Sequence, residues 1–541
     1  MKKINNILYS LAVVSTIFSC TGVIKNEETK QYLSEKIVFE VNKNELMNLD
    51  DASEQETPVN LLVKLNYNDF TSSSFKNEEE RRLYFENAKN YYSKKNKELV
   101  SELNLDDLDY YSSLYSPFIS VDITNEELSN DNYHLLEYLD SNSNIEMVYV
   151  SDAQSNKPNL TNATNFTGVK PYITNRTYTG EGVVVGILEP SILDADHENF
   201  ANTDIMVRNE WYYAESVSNH TTMMGSIIAG KNGIAPDSKL LSVELCGNAV
   251  NEIDWLLENG VNVINLSYGD SNPTGNYSSK SAYMDYIINT YKVTMVASSG
   301  NTGDTDDYVA NPGLGYNVLT VGACSSSYGY SMNFSSYKEV DGPRKPNIVA
   351  PGYNISLNSF DDSQRGTSLS AAITTGCVAL MMERSYIYKC NPEVVISDIM
   401  ASSKDPSTSY FKNGLDDNIG AGSLDFSKLV EDDVGGSVLG FSESNQLKSF
   451  QMTLSEGDKI KLVAAWLANS DGTVSNTQRT NYDVYIYDSN NNLITSQVTN
   501  VDCIELIEFE APYTGTYTIK IVKNSTQANT NEYVSISYFI I

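Results

Sequence analysis

A chain of 541 residues is too long for one ordinary core, and three or four domains are expected. Its 41% hydrophobic and 10% aromatic content excludes a disordered chain. The 37 basic and 70 acidic residues leave a formal charge of -33, which repels nucleic acid and anionic headgroups and excludes a polyanion-binding role.

At the N-terminus Lys2 and Lys3 precede an apolar run from Ile7 to Phe18. The run is too short to span a bilayer and reads as a signal peptide. Ile17-Phe18-Ser19-Cys20 resembles a bacterial lipobox, with Phe18 bulkier than the usual residue. The resemblance implies that Cys20 is acylated and that the mature chain sits on the outer face of a bacterial membrane by its lipid. Residues 1–20 are therefore read as a lipoprotein-type signal and 21–57 as an acidic tether. No later segment is long and apolar enough to span a membrane.

From Val59 the pattern changes. A strand over Val59–Leu65, a helix over Glu78–Val100, a strand over Phe118–Ile123, a short helix over Asn132–Leu139 and a strand over Ile145–Val150 are expected. That order suggests a small α+β, ferredoxin-like domain over residues 58–150. A polar linker at 151–170 follows. From 171 to 430 short continuous apolar runs, Val183–Leu188, Val263–Leu266 and Val293–Ala297, alternate with helical patterns. Such strands need cover on both faces, which predicts an α/β, doubly wound, mostly parallel sheet with its site at the strands' C-terminal ends. Residues 435–541 carry alternating strands, Tyr482–Tyr487 and the segment around Tyr517, separated by Asn- and Gly-rich turns. They read as an all-β sandwich. Six scattered cysteines have no metal or redox spacing, and with Cys20 acylated at least one of the rest is a free thiol.

The residues able to carry chemistry lie in the middle region. Gly366-Thr367-Ser368 opens a long helix of small residues, where free N–H groups and the helix dipole favour a developing oxyanion. A serine there is as readily a helix cap, so a nucleophile needs a base as well. The chain has three histidines. His134 lies in the N-terminal domain and His197 in a charged loop, whereas His220 begins a helix of small and apolar residues. A neutral imidazole with a pKa near ~6.5 can take the seryl proton and return it to a leaving amine. Glu189 ends the strand Val183–Leu188 and could orient that imidazole, with Asp194 and Asp196 as fallbacks in the following loop. Asn301, in Ser299-Gly300-Asn301 after another strand, could donate its amide to an oxyanion.

Taken together, these segments resemble the subtilisin-like serine peptidases over about Pro171 to Leu429, with acid, histidine, asparagine and serine in the family's order. Gly366-Thr367-Ser368 matches the nucleophile motif, and His220 with Thr222 matches the histidine motif. Ser299-Gly300-Asn301 matches the oxyanion segment, and Asn265-Leu266-Ser267-Tyr268-Gly269 the strand that pairs with substrate backbone. Three residues depart from the pattern. Glu189 stands for the usual aspartate, Thr221 and Met223 replace the usual neighbours of His220, and Ala372 replaces a proline.

The resemblance implies a serine endopeptidase with Glu189, His220 and Ser368 catalytic, Asn301 in the oxyanion hole, and Ser267, Tyr268 and Gly269 binding substrate. Its substrates would be proteins or peptides, and residues 58–150 would be an inhibitory propeptide. Cleavage of that propeptide would release the enzyme from its lipid anchor. No cofactor or metal is required; the family often carries structural calcium, for which no ligand set is assigned. Two rivals are an inactive scaffold serving as a surface adhesive, and the Ser-Glu-Asp peptidases. The retained Ser368 and His220 argue against the first, and His220 at the motif position argues against the second.

Overall fold

The structure is a computed structural model. It describes residues 34, 36–39, 58–70, 75–103, 109–124, 133–152, 163–208, 217–303, 305, 307–326, 328–355, 357, 360, 364–405, 413–430, 434–524 and 532–540. The expected signal sequence and Cys20 lie outside the described residues. Two compact units are formed: Met1–Phe70 with Arg82–Ala153 and Cys246–Trp255, and Thr71–Arg81 with Gln154–Leu245 and Leu256–Ile541.

The first unit is an α+β domain. Its strands are β1 (Ile37–Phe39), β2 (Pro58–Leu65), β3 (Asp109–Ser112), β4 (Phe118–Thr124) and β5 (Ile145–Asp152), with helix α2 (Tyr133–Ser141) and, from Arg82 on, helix α1 (Glu78–Val100). The sheet order is β1-β5-β2-β4-β3. Leu61, Val63, Ile119, Val121, Val148 and Val150 of the central strands form a core with Leu136 and Leu139 of α2. Two strands differ from expectation. β1 falls in the stretch read as a tether, where Ile37-Val38-Phe39 pairs in parallel with β5. Three consecutive β-formers suffice for an edge strand even in an acidic segment. β3, the opposite edge, has no counterpart among the expected elements.

In the second unit β6 (Val184–Glu189), β7 (Ile205–Arg208), β8 (Lys239–Glu244), β9 (Val263–Leu266), β10 (Thr294–Ser298), β11 (Leu319–Cys324) and β12 (Ile348–Pro351) form one sheet. Its order is β12-β11-β10-β9-β6-β8-β7, and every pairing is parallel. β6 includes Glu189 as its last residue, one position further than the apolar run predicts. Beyond β12, the short strands β13 (Tyr353–Ile355) and β14 (Gln364–Arg365) pair antiparallel and lead into the helix that carries Ser368. Among the helices of the chain are α3 (Asn219–Ala229), α4 (Val250–Glu258), α5 (Ser279–Tyr291), α6 (Thr367–Arg384) and α7 (Pro392–Ser402).

Helix α6 is buried without a break from Thr367 to Met382. Its small residues allow this depth. Thr374 and Thr375 return their hydroxyls to the carbonyls of Ser370 and Ala371, at 2.8 and 2.9 Å. A Cβ on Gly376 would stand 2.7 Å from Ile234 Cβ. This helix and the ends of β6, β9 and β10 carry the site.

The C-terminal segment forms two four-stranded antiparallel sheets. Their strands are β15 (Val434–Phe441), β16 (Leu447–Leu454), β17 (Lys459–Trp466), β18 (Tyr482–Tyr487), β19 (Leu493–Gln497), β20 (Ile504–Glu510), β21 (Gly515–Lys523) and β22 (Glu532–Ile540). The orders are β15-β22-β17-β20 and β16-β21-β18-β19. Leu462, Ala464 and Ile536 of one sheet share a core with Val484, Ile486, Ile519 and Ile521 of the other. These sheets are tied to the rest of the second unit by buried polar contacts. Asn317 exchanges two hydrogen bonds with the Ala468 backbone, at 3.0 and 2.7 Å. Buried Lys461 donates to Ser403 O at 3.0 Å and to Ala421 O. Cys246, Cys324, Cys377, Cys390 and Cys503 are free thiols. No helix among the described residues is long and apolar enough to cross a membrane.

Candidate active site

Glu189 reaches the site because β6 is central and ends there. Its side chain is fully buried, which demands partners for both oxygens. Oε1 accepts from Ser267 N at 3.1 Å and lies 3.4 Å from Asn265 Nδ2. Oε2 lies 3.2 Å from His220 Nδ1. That separation suits an ion pair, although the two atoms are not aligned as a hydrogen bond and Oε2 has no other partner.

His220 is the second residue of α3, whose start is fixed by Ser218 accepting from Thr221 N at 3.1 Å. Ser191, Ser218 and Thr221 form a closed hydroxyl cluster at this helix end, with contacts of 2.6, 2.6 and 3.0 Å. His220 Nε2 is buried and has no hydrogen-bond partner. Two of the alternatives are engaged elsewhere. His197 Nδ1 accepts from Asn199 N at 3.3 Å, and its ring stacks on Phe360 with centroids 4.9 Å apart. Asp194 accepts from Asp196 N at 3.1 Å within their own loop.

Ser368 is the second residue of α6 and almost wholly buried. Its Oγ donates to Ser267 O at 3.1 Å, so in this state the hydroxyl is turned to the strand and not to His220. Ser267 thus joins the two halves of the site. Its N–H holds the Glu189 carboxylate, its carbonyl takes the Ser368 hydroxyl, and its own Oγ donates to Ser368 O at 2.9 Å. Both backbone groups of Ser267 are therefore engaged within the chain, whereas Gly269 further along is half-exposed.

Asn301 sits opposite, with Oδ1 accepting from Thr367 N at 2.9 Å and Thr367 Oγ1 at 3.1 Å. Holding the oxygen fixes which end of the amide is free, and that end is the Nδ2 donor.

Sequence reasoning missed Asn265 as a part of this assembly. It is fully buried, donates to Ser267 Oγ at 2.8 Å and accepts from Thr375 Oγ1 at 3.0 Å. The signal was available, since one amide inside the apolar strand Val263–Leu266 must find partners.

The subtilase family model matches residues 112–422, more than half of the chain, which belongs to that family. It is a serine endopeptidase. It is 29% identical to subtilisin BL of Lederbergia lenta over 234 residues, 40% of this chain and 81% of that protein. Serine protease AprX of Bacillus subtilis (strain 168) is 23% identical over 372 residues, 59% of this chain and 81% of its own length. Among solved structures, that of the prenylagaramide maturation protease PagA covers 49% of this chain and 98% of its own, at 25% identity and a TM-score of 0.41.

Proposed function

We propose that Ser368 is the nucleophile, His220 the base and then the acid, Glu189 the orienting carboxylate, and Asn301 an oxyanion donor. The observation that carries this reading is the 3.2 Å pair of Glu189 and His220, bridged to Ser368 through Ser267. In this reading the Ser368 hydroxyl turns from Ser267 O to the unpartnered His220 Nε2 when it reacts. The imidazole takes the proton as Oγ adds to the scissile carbonyl. The oxyanion is then met by Asn301 Nδ2 and by Ser368 N, an N–H of the first helical turn without an intrahelical acceptor. Collapse of the intermediate gives the proton to the leaving amine, and water hydrolyses the acyl-enzyme by the same steps. A glutamate serves because its carboxylate is pulled back against Ser267 N, which absorbs the extra methylene.

Ser368→Ala or His220→Ala is expected to lower turnover by about 10⁶, the loss known for a subtilisin's own serine and histidine. Asn301→Ala should cost about 10²–10³, the cost of an oxyanion donor in a subtilisin. Small and equal losses in a peptide hydrolysis assay for all three would overturn the assignment.

The same proposal places the enzyme outside the cytoplasm, acylated at Cys20, with residues 58–150 as its propeptide and inhibitor. A linker tethered to the enzyme meets the site at roughly millimolar effective concentration or above, so self-cleavage between residues 151 and 170 is expected. The short helix Ala163–Phe166 within that linker would have to unwind if the cut falls there. Mass spectrometry of wild type and Ser368→Ala, expressed in parallel, checks this. Identical fragments from both would mean that another peptidase makes the cut.

A further inference from the structure

Glu189 and His220 are carried by separate elements, and their own contact does not set the space between them. The 3.2 Å approach of Oε2 to Nδ1 is not aligned as a hydrogen bond, and Oε2 has no other partner. The acid is fixed from its own side, because β6 pairs with β8 and β9 and Ser267 N holds Oε1. The base rides on α3. Its place therefore depends on what ties the start of that helix to the chain leaving β6.

Three hydroxyls make such a tie. Ser191 stands two residues beyond Glu189, and Thr221 stands next to His220. Ser191 Oγ lies 2.6 Å from Thr221 Oγ1 and 2.6 Å from Ser218 Oγ, and the last two lie 3.0 Å apart. A hydroxyl has one proton and two lone pairs, so each member of this triangle can give to one neighbour and take from the other. The triangle closes with every proton placed. Ser218 Oγ also accepts from Thr221 N at 3.1 Å, which locks the ring to the helix backbone. Thr221 is fully buried, so its hydroxyl depends on these partners and not on bulk water. Two further bonds join the same loop and helix, Ser218 N to Ile192 O at 3.1 Å and Asp194 N to Thr222 Oγ1 at 2.9 Å. The contact of Ser191 with Thr221 lies nearer the pair, linking the chain two residues from the acid to the residue beside the base.

Thr221 is also one of the positions at which this chain departs from the subtilase pattern, and Glu189 is another. We propose that Ser191 is a positioning residue: its hydroxyl, gripped by Thr221 and Ser218, sets the separation of His220 from the longer acid. The inference rests on the assignment of Glu189 and His220 as orienting acid and base. Such a separation matters because a misplacement of about 1 Å can cost about 10²-fold in rate.

The test measures kcat, KM and Tm of the full chain with one peptide substrate. Ser191→Ala should lower kcat by about 10-fold to 100-fold and leave KM within about 2-fold. Ser218 and Thr221 can still pair with each other, so Tm should fall by a few degrees at most. Thr221→Val keeps the shape and removes the hydroxyl from the helix side, and its loss in kcat should be of the same size. The deciding measurement is Ser191→Ala in a Glu189→Gln background, where the acid no longer holds the imidazole. There it should cost less than about 3-fold, since two changes acting through one contact do not add. An equal loss in both backgrounds makes the ring a structural brace, which overturns the positioning role and leaves Glu189 and His220 standing. An unchanged kcat in Ser191→Ala overturns it as well. If Glu189→Gln itself turns over like the wild type, the acid is misassigned and both readings fall.

Discussion

Two glutamates, each on a strand of the second unit and each buried, have opposite surroundings. Glu189, at the end of β6, has an N–H on one oxygen and an imidazole 3.2 Å from the other. Glu505, on β20, has Oε1 held by Thr499 N at 2.8 Å and Oε2 without a partner. Burial, with the nearby Asp483 and Asp502, pushes the Glu505 carboxyl up to about 9. A buried carboxylate is thus not in itself a mark of chemistry. What separates the two is whether a proton-exchanging partner stands beside the acid, because a carboxylate alone is most cheaply buried with its proton on.

The largest test of that contrast is to neutralise each acid in turn. Glu189→Gln is expected to fold and to lower turnover by about 10⁴, the size of loss seen when an orienting acid becomes an amide and the wrong imidazole tautomer is held. Glu505→Gln should leave turnover unchanged. If Asp194→Asn or Asp196→Asn abolished hydrolysis while Glu189→Gln did not, the orienting acid would lie in the loop instead.

A finer test changes what faces Glu189 without touching it. Asn265→Asp keeps the shape of the side chain but puts an oxygen where Nδ2 now faces Glu189 Oε1 at 3.4 Å. Two buried carboxyl groups this close disfavour charge on both, so the hold of Glu189 on its partners is weakened. Turnover at neutral pH should fall by roughly 10-fold to 100-fold, on the scale of other supporting residues that orient a site through a ligand or base. An equal loss of rate in Asn265→Ala, which adds no carboxyl group, would show a packing role for Asn265 and nothing more.

Much of this was legible in the chain itself. β9 was visible at its full extent and β6 and β10 within one residue, because a strand covered on both faces must be apolar throughout. Helix α1 was visible at its full length. Glu189 and His220 stood out as a polar end to an apolar strand and a histidine among small residues. The edge strands β1 and β3 were not legible, since an edge position is decided by what lies beside it. Nor was the part played by Ser267. Its contribution runs through its backbone N–H and carbonyl, which every residue possesses, and only the fold determines where they are aimed.

The smallest effect is on stability, and it concerns Glu505 alone. Its folded carboxyl titrates at about 9 against an ordinary value of 4.5, so folding above the ordinary value requires uptake of a proton. A raised folded pKa contributes stability that is fully present below the unfolded value and is lost as pH rises toward the folded one. Glutamine has nearly the same shape and no proton to take up. A tenfold change in proton affinity is worth about 1.4 kcal/mol, which makes a gain on the order of 2 kcal/mol at neutral pH reasonable for a group that is mostly buried. Glu505→Gln is therefore expected to raise Tm by a few degrees at pH 7 to 8 and to leave it nearly unchanged at pH 4, where both residues are neutral. Thermal unfolding at these pH values decides the matter. An equal gain at pH 4 would mean that the amide's own contacts, and not the proton, account for the difference.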